Sequence, residues 1–160
     1  MTEDVANASQ RVSAYQAPLF RRKRIGPTEM VFVRDIWRIC HDDVPNMLRA
    51  AGHIVHLQRD IHKTGALDVD WLPGVGAAKW ILITKDQNIR KRPIELRAVL
   101  NSKVRAFVLT AGEMTGADQA AVFQKALPRM LRILSKTKAP FMANVTESSR
   151  VELLHLPRDV

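Results

Sequence analysis

From Met30 onward the chain alternates short apolar runs, rich in branched residues, with stretches whose apolar residues recur at helical spacing. That alternation narrows the choice of fold more than any other feature. A run of four or five apolar residues bounded by polar ones reads as a strand buried on both faces, and such strands belong to parallel sheets covered by helices on either side. Trp80-Ile81-Leu82-Ile83-Thr84 is the clearest of them, with Met30-Val31-Phe32-Val33, His53 to Leu57 and Val104 to Leu109 as further candidates. Between them, Val44, Met47, Leu48 and Ala51 fall at i, i+3, i+4 and i+7 and predict a helix from Asp43 to Ala51, closed by Gly52 in the left-handed conformation.

A polar stretch from Gln58 to Leu67 leads to Asp68, where an acidic residue suits the cap of a helix carrying Trp71, Leu72 and Val75, with Pro73 tolerable only near its start. Pro93 opens another helix, whose Ile94, Ala98 and Val99 are expected to face the core. Ala117 to about Lys136 reads as a long amphipathic helix with a bend expected at Pro128, covering one sheet face. Phe141 to Val145 and Arg150 to Leu154, joined by Thr146-Glu147-Ser148-Ser149, read as a closing hairpin. The expected architecture is a three-layer α/β/α sandwich with a mostly parallel central sheet and right-handed crossovers.

Residues 1–28 show no such periodicity and end in Arg21-Arg22-Lys23-Arg24, which predicts a basic flexible or partner-docked tail before a single domain over residues 29–156. The chain of 160 residues is 46% hydrophobic, enough for one core, and carries a formal charge of +9. That charge attracts polyanions such as RNA or an acidic partner without specifying any chemistry. No apolar run is long enough to span a membrane and the N-terminus lacks a secretion-signal pattern, so a cytoplasmic location is expected. The single cysteine, Cys40, excludes an internal disulfide and a paired-cysteine zinc site.

Ligands of parallel α/β sheets bind beyond the carboxyl ends of the strands. Asp35 stands just past the first expected strand, Asp86 just past Trp80 to Thr84, and Asp68 with Asp70 at the start of the helix between. Carboxylates from three elements at one edge suit a hard divalent cation such as Mg²⁺ or Mn²⁺. Each also has an ordinary reading, Asp68 as a cap, Asp86 as a turn residue and Asp35 as a strand end. Asp86 lies in Lys85-Asp86-Gln87-Asn88-Ile89-Arg90-Lys91-Arg92, where Lys85, Arg90, Lys91 and Arg92 are candidate phosphate-backbone contacts and Thr84 a candidate to orient Asp86. His53 and His56 are oddly spaced in a strand and point to opposite faces, and Trp71 and Trp80 are expected to fill the core.

From Asp35 to Leu154 the pattern resembles the PIN-like domains, particularly VapC-type ribonuclease toxins of bacterial toxin–antitoxin pairs. The matches are the strand ending in Asp35, Leu48-Arg49-Ala50-Ala51-Gly52-His53, Asp68-Val69-Asp70-Trp71-Leu72, and Trp80-Ile81-Leu82-Ile83-Thr84-Lys85-Asp86. Arg105 to Gly112, Ala126-Leu127-Pro128-Arg129 and Arg150 to Leu154 add to them. The resemblance implies a metal-dependent endoribonuclease with Asp35, Asp68 and Asp86 as catalytic metal ligands, Asp70 as a near alternative to Asp68, Mg²⁺ or Mn²⁺ as cofactor, an antitoxin partner and a homodimer. The sequence departs from that pattern at Asp35-Ile36-Trp37-Arg38, which lacks a small, glycine-containing turn, and at Asn88, where a second acid is expected. Two other functions compete: a phosphoacceptor receiver domain, for which the acidic pair and the later lysine are missing, and a non-catalytic RNA- or protein-binding module on the same fold.

Overall fold

The computed structural model describes residues 29–33, 42–61 and 67–157. The basic N-terminal segment and Asp35 lie outside the described residues. In chain order the elements are β1 (Glu29–Val33), α1 (Asp43–Ala50), β2 (Ile54–Leu57), α2 (Gln58–Ile61), α3 (Asp68–Ala77), β3 (Ile81–Thr84), a 3-10 turn (Ile89–Lys91), α4 (Pro93–Asn101), β4 (Arg105–Thr110), α5 (Gly116–Lys136), β5 (Phe141–Thr146) and β6 (Val151–Leu153). The strands form one six-stranded sheet in the order β2-β1-β3-β4-β5-β6. All neighbours are parallel except β5 and β6, the expected closing hairpin. The chain passes from β1 outward to β2 and then returns to the far side of β1 for β3, so the order reverses between β1 and β3.

The sheet separates two apolar layers, and strand alternation decides which residue enters which. Ile81, Ile83, Phe107, Leu109, Ala143 and Val145 face one side, where Leu48 of α1 and Phe123, Leu127 and Met130 of α5 cover them. Leu82, Ala106, Val108 and Met142 face the other, beneath Trp71, Leu72 and Val75 of α3 and Leu96 and Val99 of α4. Phe107 and Phe141 meet edge to face with centroids 5.6 Å apart. Helices on both faces of a mostly parallel sheet are the expected three-layer sandwich.

Local chemistry sets the helix ends. Thr115 caps α5, its hydroxyl accepting from the Asp118 amide at 3.1 Å. Helix α1 closes as expected on Gly52, at φ +93°, with the His53 amide donating back to Leu48. Helices α3 and α4 close with the same backbone pattern, but lysines occupy the left-handed position, Lys79 at φ 57° and Lys103 at φ 54°.

Several expectations need correction. The stretch after β2 contains the one-turn helix α2, which no periodicity announces. Leu67, not Asp68, is the cap residue of α3, so Asp68 is the first helical residue. Helix α3 continues through Pro73 to Ala77, and α5 likewise runs through Pro128. Both prolines are exposed, so the carbonyls they leave unpaired can bond to water. Ile94 is 70% exposed, and Leu96 takes the core position beside Val99. Trp80 is half-buried and stacks on His56 at 4.2 Å, across the width of β1.

Candidate active site at the carboxyl ends of β1 and β3

A point where strand order reverses leaves a crevice, because the connections on its two sides diverge. Here β1 and β3 end in register, with Val33 opposite Thr84. Asp35 follows Val33 by two residues and Asp86 follows Thr84 by two. Neighbouring strands lie about 4.8 Å apart. Helix α3 delivers the chain to the amino end of β3, so its own first turn, with Asp68 and Asp70, lies toward the carboxyl end of the sheet.

The loop after β3 folds around Asp86. Thr84 is buried, and its hydroxyl accepts from the Asp86 amide at 3.0 Å. The hydroxyl therefore orients Asp86, as the sequence suggested, and does so through its backbone amide. The carboxylate is fixed by others: Oδ1 accepts from the Asn88 amide at 2.9 Å and Oδ2 from Arg92 Nη2 at 2.8 Å. Asn88, which brings no acid of its own, thus supplies the amide that sets the rotation of Asp86. Ile89, one residue on, is buried in the layer beneath α3 and α4 and pins the turn to the sheet.

Arg92 is one arm of an arrangement the sequence did not announce. Its guanidinium spans Asp86 on one side and Glu95 on the other, with Nη1 donating to Glu95 Oε1 at 2.7 Å. The planar fork of arginine suits such a double contact. The hydrogen bond with Glu95 is the largest influence on the Arg92 pKa and, with the charges of Asp86 and Glu95 and the hydrogen bond to Asp86, raises it above its ordinary value against the opposing effect of desolvation. The side chains of Asp86 and Glu95 are 19% and 18% exposed and that of Arg92 46%, so the bridge sits at the rim of the crevice. The available clue was positional: Glu95 lies in the first turn of a helix opened by Pro93, three residues after an arginine.

The remaining candidates divide as follows. Lys85 is half-buried, and Arg90 and Lys91 are exposed on the 3-10 turn beside Asp86. Asp70 is exposed on the first turn of α3. Among the described residues no three His, Cys, Asp or Glu side chains stand close enough to hold a metal ion. Of the candidate ligands whose side chains are described, Asp86 has its carboxylate fixed at the sheet edge, and its hard oxygens fit one coordination position of a divalent cation. No described helix is long and apolar enough to cross a membrane.

Similarity to known proteins agrees with this architecture. The PIN-like domain family matches residues 30–111, which run from β1 past the end of β4 and include Asp35, Asp68 and Asp86. The Mycobacterium tuberculosis protein named "Putative ribonuclease VapC45" is 30% identical over 115 residues, covering 69% of this chain and 83% of that protein. No solved structure matches the chain. With a family match spanning half its length, a VapC relative and a sheet that reverses between two aspartate-bearing strand ends, the chain belongs to the PIN-like domain family and is of the VapC type.

Proposed function

We propose that the chain is a metal-dependent endoribonuclease, the toxin of a toxin–antitoxin pair, which cleaves RNA phosphodiesters with Mg²⁺ or Mn²⁺ held by Asp35, Asp68 and Asp86, with Asp70 as the alternative to Asp68. The observation that supports it most is the registered ending of β1 and β3 at the reversal of strand order, each followed two residues later by an aspartate. A divalent cation bound there would acidify water and offset charge building on the phosphoryl oxygens. The protein's own contribution is orientation and attraction. The Asn88 amide and Arg92 hold the Asp86 carboxylate in one rotamer, so it need not be ordered when substrate arrives. Lys85, Arg90 and Lys91 draw the phosphate backbone to the same edge. The relative's name, a ribonuclease of the VapC series, agrees with this reading. A basic tail over residues 1–28, a cognate antitoxin that restrains the enzyme, a homodimer and a cytoplasmic location complete the proposal.

The decisive comparison is RNA cleavage by the wild type and by Asp86→Asn in Mn²⁺, with chelator as the control. Outer-shell partners of a metal cost about 10- to 100-fold when removed. Loss of a ligand carboxylate should reduce cleavage by at least about a hundredfold while the thermal transition persists. Equal cleavage by the variant would remove Asp86 from the chemistry. One observation favours a second reading, a non-catalytic RNA- or protein-binding module: both carboxylate oxygens of Asp86 already accept hydrogen bonds, one of them from a cation. Chelator-insensitive RNA binding without cleavage would establish that module.

A further inference from the structure

Beside the acidic edge, the face of the sheet beneath α3 and α4 changes character toward its carboxyl end. Ala106 and Met142 are fully buried, whereas further along the same face Asn144, one step beyond Met142, and Thr110, two steps beyond Ala106, are only half-buried. These two side chains, with Val108 and Met142 as an apolar floor, line a cavity of about 40 Å³. Gln87, Ile89, Arg90 and Lys91 close its other side. One water needs roughly 10–15 Å³ of such space, so the cavity admits more than a single solvent molecule, yet it is far smaller than the roughly 150 Å³ of a cavity that takes in a whole benzene ring. Its size suits the edge of a planar heterocycle.

Asn144 is the residue that most needs explaining. Asparagine is depleted in strands because its short polar side chain competes with the backbone for hydrogen bonds. Asn144 nevertheless sits inside β5, between Ala143 and Val145, both fully buried, and next to β4 residue Val108. Among the described residues its carboxamide makes no hydrogen bond, while Thr110 donates to the Val145 carbonyl at 3.4 Å and Gln87 to the Ala111 carbonyl at 3.4 Å. A strand position that packing alone would give to valine thus carries a donor and an acceptor turned toward the cavity.

The charges around the cavity are divided. Arg90 and Lys91 stand on the wall formed by the 3-10 turn, next to Asp86. On the opposite side, Glu152 of β6 is the ladder partner of Asn144 and projects from the same face of the sheet, exposed. A phosphate is attracted to the turn and repelled from β6. That division of charge favours a nucleotide's backbone on the side of Arg90 and Lys91 and leaves the Asn144 side to an uncharged group.

Resting on the reading of RNA as substrate, we propose that this cavity is a base-reading subsite for a nucleotide flanking the cleaved bond, in which Asn144 is the specificity-determining residue and Thr110 and Gln87 form the polar wall. The ligand is an unstacked nucleobase of single-stranded RNA, the form in which base edges are accessible to protein. A carboxamide that hydrogen-bonds a base edge with donor and acceptor together discriminates among bases by about 1–3 kcal/mol, and about 1.4 kcal/mol, in the lower half of that range, is already tenfold in affinity.

The test is a set of anisotropy titrations of the full chain with four short fluorescent RNA homopolymers in chelator, so that binding is measured without turnover. Wild-type affinities should spread by about tenfold. In Asn144→Ala and in Asn144→Val, the second chosen because valine suits a strand interior, the spread should collapse to about twofold or less. The proposal is overturned if the wild type binds all four alike, or if the original spread survives in a folded Asn144→Val. Cleavage of the same RNAs in Mn²⁺ is scored separately. Asn144-dependent discrimination without any cleavage leaves the subsite standing and removes the nuclease, and cleavage without Asn144-dependent discrimination does the reverse.

Discussion

Replacing Gly76 by alanine sets two physical effects of opposite sign against each other. In an exposed helix interior glycine is less favourable than alanine by about 1 kcal/mol, so propensity predicts stabilisation. The structure predicts the reverse. A Cβ on Gly76 would stand 1.8 Å from the Ser102 carbonyl oxygen and 2.8 Å from its carbonyl carbon, both backbone atoms at the end of α4. Opening that contact to the 3.0 Å that real Cβ atoms respect requires a separation of about 1.2 Å between α3 and α4. The displacement loosens Leu72, Val75, Leu96 and Val99, which share one apolar layer. Overpacking costs about 1–3 kcal/mol, and a backbone obstacle belongs at the upper end, so the net loss is about 2 kcal/mol after the propensity gain. For a chain of this size that corresponds to a melting temperature lower by roughly 4–8 °C. Gly74→Ala is the internal control, since a Cβ there meets nothing within 4 Å and propensity alone applies. Urea titration and thermal melts of both variants decide the matter, and a Gly76→Ala protein as stable as Gly74→Ala would refute the packing argument.

Two further predictions concern stability. Lys103→Gly should stabilise by about 1 kcal/mol, because a lysine holds a left-handed conformation at φ 54°, and Gly52→Ala should destabilise by about as much, because Gly52 at φ +93° has open space and only backbone strain to lose; chemical denaturation of the two reads the opposite signs. Burial lowers the pKa of His53 below 6.5, so the unfolded state binds a proton the folded state resists. Stability is then undiminished above about pH 6.5 and falls as the pH drops below it toward the lowered folded value, a slope that His53→Gln should remove in denaturant titrations between pH 7 and 5.

The reading from sequence succeeded where one period dominated. Ile81 to Ile83 are apolar at every position and lie in a strand buried on both faces, and Leu48 and Val44 repeat at helical spacing and reach the core. It failed where tertiary position overrides a local preference. Ile94 reads as core but projects from the first turn of α4, while Leu96, two residues on, faces the sheet. Pro73 is expected only near a helix start, yet it lies mid-way along α3, whose solvent side tolerates the missing amide. For the site, the sequence offers an expected location, the carboxyl ends of parallel strands, and of the expected acids Asp86 is the one described beside such an end. Its wiring was not legible, because the Asp86–Arg92–Glu95 bridge depends on how the 3-10 turn brings residue 92 back toward residue 86. Asn144 left only a weak trace, a polar residue interrupting an apolar strand, whose meaning depends on which neighbours share its face.

The burial of Ile89 has a mechanical consequence for everything that surrounds it. From Gln87 to Lys91 it is the only residue sunk in the apolar layer, while Gln87, Asn88, Arg90 and Lys91 are exposed. That anchor acts together with the bonds on either side of it, the Asn88 amide to Asp86 and the Gln87 carboxamide to the Ala111 carbonyl, so Arg90 and Lys91 are carried on a tethered turn and not on a loose loop. A small apolar plug thus sets where a short arc of positive charge stands above the sheet edge.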